Sequence, residues 1–469
     1  MQSAVLCACG LLALGFLFRV IVRPLQWLFV PAAVVGGLLG LSLAQIVAAV
    51  HRHGGSGSGL DTLFAWQSDV LRHFSGWPGV LIAVIFAGLL LEKPGQSARE
   101  STRTVSVQAI MVWIIILGQV AIGLAATWLF VLPRHPDVPP SFGQLIEVGF
   151  AGGHGTAGAM GEVFADELGF SAGRDLGFLF ATAGLIVGVI TGIIYINLAV
   201  RRGWTARKAT LRPSSGMEVR RCPQPVALAR VGAEVIDPFL FQGLILAAAF
   251  AAGLAVQSAV MGGGSQLLTW LGLPQAADIM KFAGKMPLFM FTLLGGLAVR
   301  RLLSVFRLDD LVDGDSLRRL MGAAMEFLIV AAIASMRIEV IATYLSSILL
   351  LLALGFTWAG VCLLLIGRRL LPPSHWFELG LINYGMSTGT TAQGMMLLRI
   401  VDPGLKSRAA EDYALAAPIS APFVGGGVIT LIGMPALLTK VHPGLVAVAL
   451  LAVMALLYVI ARRIGAGWR

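Results

Sequence analysis

The 469-residue chain is short of charge. Asp, Glu, Lys and Arg make up 12% of it, against about 25% in an ordinary soluble domain. With 57% of residues hydrophobic, that shortage excludes a large soluble domain and points to a polytopic membrane protein. The longest polar stretch, 201–237, is too short and too rich in proline and basic residues to fold alone. Cysteine is scarce as well: Cys7, Cys9, Cys222 and Cys362 have no metal-site spacing and read as small core residues. No Walker A loop, HExxH pair or GxSxG elbow occurs, which removes the common sequence routes to a one-chain ATP-driven pump or a hydrolase. A ring of pore-lining charge is also missing, which counts against a channel. Nothing basic precedes the first apolar run, so residues 1–22 read as a transmembrane helix and not as a cleaved signal.

What charge there is has a net value of +10 and falls mostly at the ends of apolar runs. That is the placement of the positive-inside rule, so it speaks of topology and not of a nucleic-acid partner. Apolar periodicity predicts eleven spans, at 3–22, 27–50, 77–91, 105–132, 176–200, 236–256, 279–299, 320–335, 340–366, 413–431 and 443–460. Between them lie a polar loop at 51–76, a charged loop at 92–103 and a basic loop at 201–230 that marks the midpoint.

Two stretches break this pattern. Residues 148–163 read VGFAGGHGTAGAMGEV, with Gly149, Gly152, Gly153, Gly155, Gly158 and Gly161. Each glycine costs roughly 0.5–1 kcal/mol relative to alanine inside a helix, so an ordinary span is not expected there. Residues 382–396, INYGMSTGTTAQGMM, form a second such stretch. Gly155-Thr156-Ala157 is echoed by Gly389-Thr390-Thr391, and Asp175 and Asp412 follow, each leading into an apolar segment with a central glycine, Gly188 or Gly425. Paired broken segments in two halves of a membrane chain point to a secondary transporter built from internal repeats.

Charge orients the halves. With the N-terminus outside and each glycine stretch re-entrant, most of the 34 Lys and Arg residues become cytoplasmic, including the basic loop and Arg462 and Arg463. The expected fold is therefore all-α: two inverted-topology five-helix repeats, each with a re-entrant glycine-rich hairpin, plus an extra C-terminal helix. The first repeat covers 1–200, with its hairpin near 141–170, and 201–235 is a cytoplasmic connecting loop. The second covers 236–435, with its hairpin near 377–398, and 436–469 carries the extra helix and a cytoplasmic C-terminus.

Half-helices inside a membrane present N-terminal N–H groups suited to a carboxylate, while unwound carbonyls and hydroxyls suit a hard cation. The candidate substrate and ion site comprises Gly152, Gly153, His154, Gly155 and Thr156 with Asn383, Gly385, Ser387, Thr388, Gly389, Thr390 and Thr391. Sodium is assigned to Thr156, Ser387 and Thr391; Asn383 and Gln393 add amide oxygens. His154 either binds substrate, relays a proton or hydrogen-bonds a hairpin carbonyl. Glu326 is either an intramembrane functional carboxylate or an interfacial group near Arg318 or Arg319. Gln119 fits helix packing, as do the pairs Gly36-Gly37 and Gly295-Gly296, and Lys281 and Lys285 fit snorkelling at a helix end.

With those residues in view, the chain resembles the bacterial sodium/glutamate symporters. The likeness rests on Gly152-Gly153-His154-Gly155-Thr156, Phe164, Gly169-Phe170, Ala181-Thr182, Gly184, Gly188 and Gly192, with Pro31, Val34, Gly36 and Gly37 earlier and Gln119 before Ala121-Ile122-Gly123. It implies a multi-pass protein of the bacterial inner membrane. It also implies a homodimer in lipid, and sodium-driven uptake of L-glutamate or a similar small organic anion by an elevator-like movement. Sodium would be the coupling ion, with no other cofactor and no enzymatic step. The second hairpin departs from the family's GxGxGATP, having Ser387 at the middle glycine and Ala392 at the proline, and Ala32 stands where an acidic residue is usual. The departure leaves a proton-coupled or differently selective carboxylate carrier as the alternative.

Overall fold

A computed structural model describes residues 1–27, 30–53, 58–89, 91, 102–205, 236–260, 270, 288–402, 407–420 and 423–466. Among them regular structure is entirely helical. In chain order the main helices are α1 (Gln2–Ile21), α2 (Arg23–Trp27), α3 (Ala32–His53), α4 (Ser58–Leu89), α5 (Thr102–Ala126), α6 (Leu145–Gly149), α7 (Gly153–Glu162) and α8 (Ala172–Arg202). They continue with α9 (Pro238–Ala259), α10 (Leu288–Val305), α11 (Gly314–Ala334), α12 (Ile338–Thr343) and α13 (Leu345–Val361). The last are α14 (Trp376–Thr388), α15 (Thr391–Val401), α16 (Ala409–Ser420), α17 (Met434–Leu438) and α18 (Pro443–Gly465).

Among the described residues eight helices are long and apolar enough to cross a membrane. Large apolar side chains such as Leu6, Ile194, Leu349 and Leu445 stand exposed on them, while Gln108 and Gln119 are fully buried. A helix that is apolar on its outside and polar within is solvated by lipid, not water. The chain is a multi-pass membrane protein.

Several boundaries differ from those expected. The loop at 51–76 is helical on both sides of the undescribed residues 54–57, because α4 starts at Ser58. Its polar residues satisfy one another at helical spacing, as in the Arg72–Asp69 pair at 2.6 Å, while Val70 and Phe74 turn inward. The span at 413–431 is not continuous, since residues 423–427 between α16 and a π-helical turn, Ile429–Gly433, are not helical. The spans expected at 279–299 and 320–335 correspond to α10 and α11, with 279–287 outside the described residues, as are Cys222, Lys281, Lys285 and all but the first few residues of the basic loop.

Residue contacts divide the chain into two compact units, each drawing on both halves of the sequence. The first comprises Met1–Phe18, Ala32–Pro94 and Val219–Ser335. Close backbone approach organises it: a Cβ on Gly36 would overlap the carbonyl of Leu11, and one on Gly295 the carbonyl of Ala249. Thr292 donates its hydroxyl to the carbonyl of Ala83 at 2.7 Å. Glu326 sits in this unit on an exposed face of α11.

The second unit comprises Arg19–Pro31, Gly95–Glu218 and Met336–Arg469, and so holds both glycine stretches. Its centre is α5, buried along most of its length, and α8. On α8 the four-residue spacing of Gly184, Gly188 and Gly192 makes a side-chain-free groove. A Cβ on Gly184 would overlap the carbonyl oxygen of Thr388, one on Gly188 would crowd Thr388 and Gln393, and one on Gly192 would crowd Leu397. The groove thus receives the end of α14 and the length of α15. Overpacking of this kind costs about 1–3 kcal/mol, so Gly184→Leu is expected to lower the detergent-solubilised melting temperature. Gly322→Leu, where a Cβ meets open space, is expected to stay within about 0.5 kcal/mol. Melts followed by tryptophan fluorescence check this; equal losses in the two variants would remove the groove from the account.

Candidate functional site

The site is built from three interruptions of helix in the second unit. The first separates α6 from α7 at Phe150–Gly152. Gly153 leaves it at φ +67°, a left-handed conformation that only glycine adopts without strain. From there the expected poor helix does form, over Gly153–Glu162. Its glycines and alanines face α8 at contact distance, with Ala157 against Gly177 and Gly161 against Arg174, and packing outweighs low propensity. The second interruption is Gly389-Thr390, between α14 and α15. Those two helices fold back on each other so closely that a Cβ on Gly385 or Gly394 would strike the opposite backbone. Thr390 caps α15, its hydroxyl accepting the N–H of Gln393 at 3.1 Å.

The two interruptions touch. A Cβ on Gly153 would lie 3.2 Å from the carbonyl oxygen of Gly389. Two helix N-termini therefore stand at one place, those of α7 and α15, each with first-turn N–H groups lacking intrahelical partners. Thr390 and Thr391 are exposed there, whereas Gly153 to Thr156 are buried.

The far ends of the two arms have different surroundings. Where the first hairpin begins and ends, Phe142 and Phe170 pack on Tyr344 at 6.0 and 5.8 Å between centroids, beside the Tyr344–Asp137 hydrogen bond of 2.8 Å. At the start of the second, Trp376 packs on Trp204 at 5.7 Å, with the Arg368 guanidinium 5.4 Å from the Trp204 ring centroid.

The remaining expected site residues are placed individually. His154 is held by Thr182 (Nε2 to Oγ1, 3.0 Å) and stacks on Phe178, both residues of α8. Thr156 lies against Gly426. Asn383 forms a reciprocal amide pair with Gln108, at 2.6 and 3.0 Å. Ser387 donates to the carbonyl of Tyr384 at 3.2 Å, and its own carbonyl accepts from Gln119 at 2.7 Å. Thr388 donates to the same Tyr384 carbonyl at 2.9 Å, and Thr391 bonds the hydroxyl of Tyr413 at 3.1 Å. Gly155 and Gly385 are buried with their helices. The three hydroxyls assigned to sodium thus have three different neighbours.

The amide oxygens of Gln119 and Gln393 are buried with no partner among the described residues. Among the same residues no group of three or more His, Cys, Asp and Glu side chains is arranged to hold a metal ion.

The third interruption, at 423–427, was not foreseen, and with it comes Glu147. Its Oε1 accepts the N–H of Gly425 at 2.9 Å and the hydroxyl of Thr430 at 2.5 Å. Gly425 and Gly426 have φ of +68° and +104°. The signal for Glu147 was present in the sequence, a lone carboxylate in the apolar run LIEVGF that opens the first glycine stretch.

The Gln108–Asn383 pair ties α5 to the second hairpin and yields a thermodynamic expectation. Gln108→Leu strands a buried amide and should cost about 1–3 kcal/mol. Adding Asn383→Leu should cost less than the sum of the single changes, because no unpaired group remains. A double-mutant cycle measured by thermal unfolding checks it, and simple additivity would show the pair to be uncoupled.

No curated protein and no solved structure matches the chain. The family model described as sodium/glutamate symporter matches residues 1–212, which include α5 to α8 and the whole first interruption. Over those 212 residues, somewhat less than half of the chain, the sequence is similar to that of a transporter family, the sodium/glutamate symporters.

Proposed function

We propose that the chain is a secondary active transporter that couples sodium to the symport of L-glutamate or a similar small organic anion. The observation that carries this reading is the contact between Gly153 and Gly389, which sets two helix N-termini side by side. Partial positive charge at each suits a carboxylate. The unpartnered oxygens of Gln119 and Gln393 offer acceptors for an ammonium group close to the second interruption. An amino acid carrying more than one carboxylate matches both features. In this reading Gly152, Gly153, His154, Gly155 and Thr156 line one side, and Asn383, Gly385, Ser387, Thr388, Gly389, Thr390 and Thr391 the other.

The inverted-repeat organisation, with repeats at 1–200 and 236–435, belongs to the same proposal, and three features support it. α5 runs into a π-helical turn, Thr127–Val131, and α13 into another, Cys362–Gly367, each just before a hairpin. Asp175 and Asp412 both stand in the first turn of the helix that follows, paired with Arg337 at 2.7 Å and His375 at 2.8 Å. The echoed pairs Gly155 with Gly389 and Asp175 with Asp412 are separated by nearly the same distance along the chain, 234 and 237 residues. Hairpins whose outer ends lie in different surroundings while their breaks touch fit entry from opposite faces of the membrane. The inner-membrane location, outside N-terminus and homodimer complete the proposal on the strength of charge placement and family resemblance.

Uptake of radiolabelled L-glutamate into proteoliposomes tests it, with an inward sodium gradient and then with potassium in its place. Accumulation is expected only with sodium. Gly153→Val, which forces a branched side chain into a left-handed position against Gly389, is expected to abolish uptake while membrane insertion stays normal. Accumulation driven equally by a proton gradient, or normal transport by the variant, would overturn the reading.

A further inference from the structure

Glu147 is 1% exposed, and its second oxygen, Oε2, has no partner among the described residues. Among the described residues only Thr430 and Gly425 bond its carboxylate. An ionised carboxylate so placed carries a desolvation penalty of several kcal/mol unless a positive charge reaches it. The residues beside it are neutral oxygen donors. Gln144, one helical turn earlier and also buried, gives its amide N–H to the carbonyl of the same Thr430 at 3.2 Å, leaving its own Oε1 without a partner. The N–H of Gly426 bonds the Thr430 hydroxyl at 3.3 Å, and Gly426 in turn lies against the hydroxyl of Thr156. One carboxylate, an amide oxygen and a hydroxyl, gathered where backbone is unwound, form the donor set of a hard monovalent cation. A proton on Oε2 would serve a single acceptor, while an ion serves several oxygens at once.

We propose that Glu147, with Gln144 and Thr156 beside it and Thr430 orienting it, is a binding site for the coupling sodium ion. This deepens the transport reading above and rests on it for the identity of the ion. The site joins the α6 arm, the start of α7 and the third interruption. Occupancy would therefore order the first hairpin next to Gly153, and ion and substrate would favour each other's binding through that shared segment.

Thermal unfolding of the purified full chain in detergent is the test, with NaCl titrated against choline chloride at constant ionic strength and pH. The wild-type melting temperature is expected to rise saturably with sodium, and Glu147→Gln to lose that rise. Thr430→Val should move the half-saturating concentration upward about tenfold. If Glu147→Gln does not fold, Gln144→Leu decides, with the same upward movement expected. A sodium response unchanged in the variants overturns the site, as does a wild-type response that follows pH and ignores sodium. L-Glutamate uptake, measured separately, keeps the two readings apart. A sodium response lost with Glu147 in a protein that transports no glutamate leaves the ion site standing and removes the substrate. Sodium-driven uptake that persists in Glu147→Gln removes the site and keeps the transporter.

Discussion

Backbone that leaves the helix inside an apolar environment must still satisfy its N–H and C=O groups, and the second unit is arranged around that constraint. The second and third interruptions are tolerated because side chains reach them. Gln119 of α5 takes the carbonyl of Ser387 just ahead of the second break. Thr390 caps α15 directly after it. Glu147 reaches across to the N–H of Gly425 in the third, and Gln144 to the carbonyl of Thr430. Among the described residues, buried Gln119, Gln144 and Glu147 each bond backbone at or beside a break.

The same constraint explains the glycine content. An interruption held at a packed interface needs its neighbours close, and close approach needs the absence of Cβ. α8 supplies this with the Gly184, Gly188 and Gly192 groove, and the hairpin arms supply it with Gly385 and Gly394. Left-handed backbone at Gly153, Gly425 and Gly426 does a separate job, turning the chain at the first and third breaks. Glycine thus serves two physical ends in one region, close packing and reversal.

Function follows from what the interruptions leave over. Paired N-termini concentrate positive potential, and unpartnered amide and carboxylate oxygens concentrate negative potential a short way off. Under the proposed reading such an arrangement would separate an anion site from a cation site, both held by elements that depend on each other for hydrogen bonds, as coupling of two solutes would require.

The all-helical membrane architecture was legible in composition and periodicity, because span length and the scarcity of charge are properties of the sequence alone. Both glycine stretches could also be placed from sequence, since low helix propensity is local, and residues 1–212 carried a family likeness in their motifs. The length of α4 was misjudged, because polar residues in a helix that pairs them at i, i+3 look like a loop when read singly. The helix over Gly153–Glu162 looked poor from its glycines alone, since only contact with α8 offsets them. The break within 413–431 was missed because a run of apolar residues around Gly425 does not say whether the glycine packs or turns. Above all, the sequence pointed to Thr156, Ser387 and Thr391 by residue type but had no means of showing that their hydroxyls face different partners, or that Glu147 and Thr430, 283 residues apart, share a hydrogen bond. Local chemistry is written in the order of residues. Which polar atoms are left without a partner is decided only when distant segments meet.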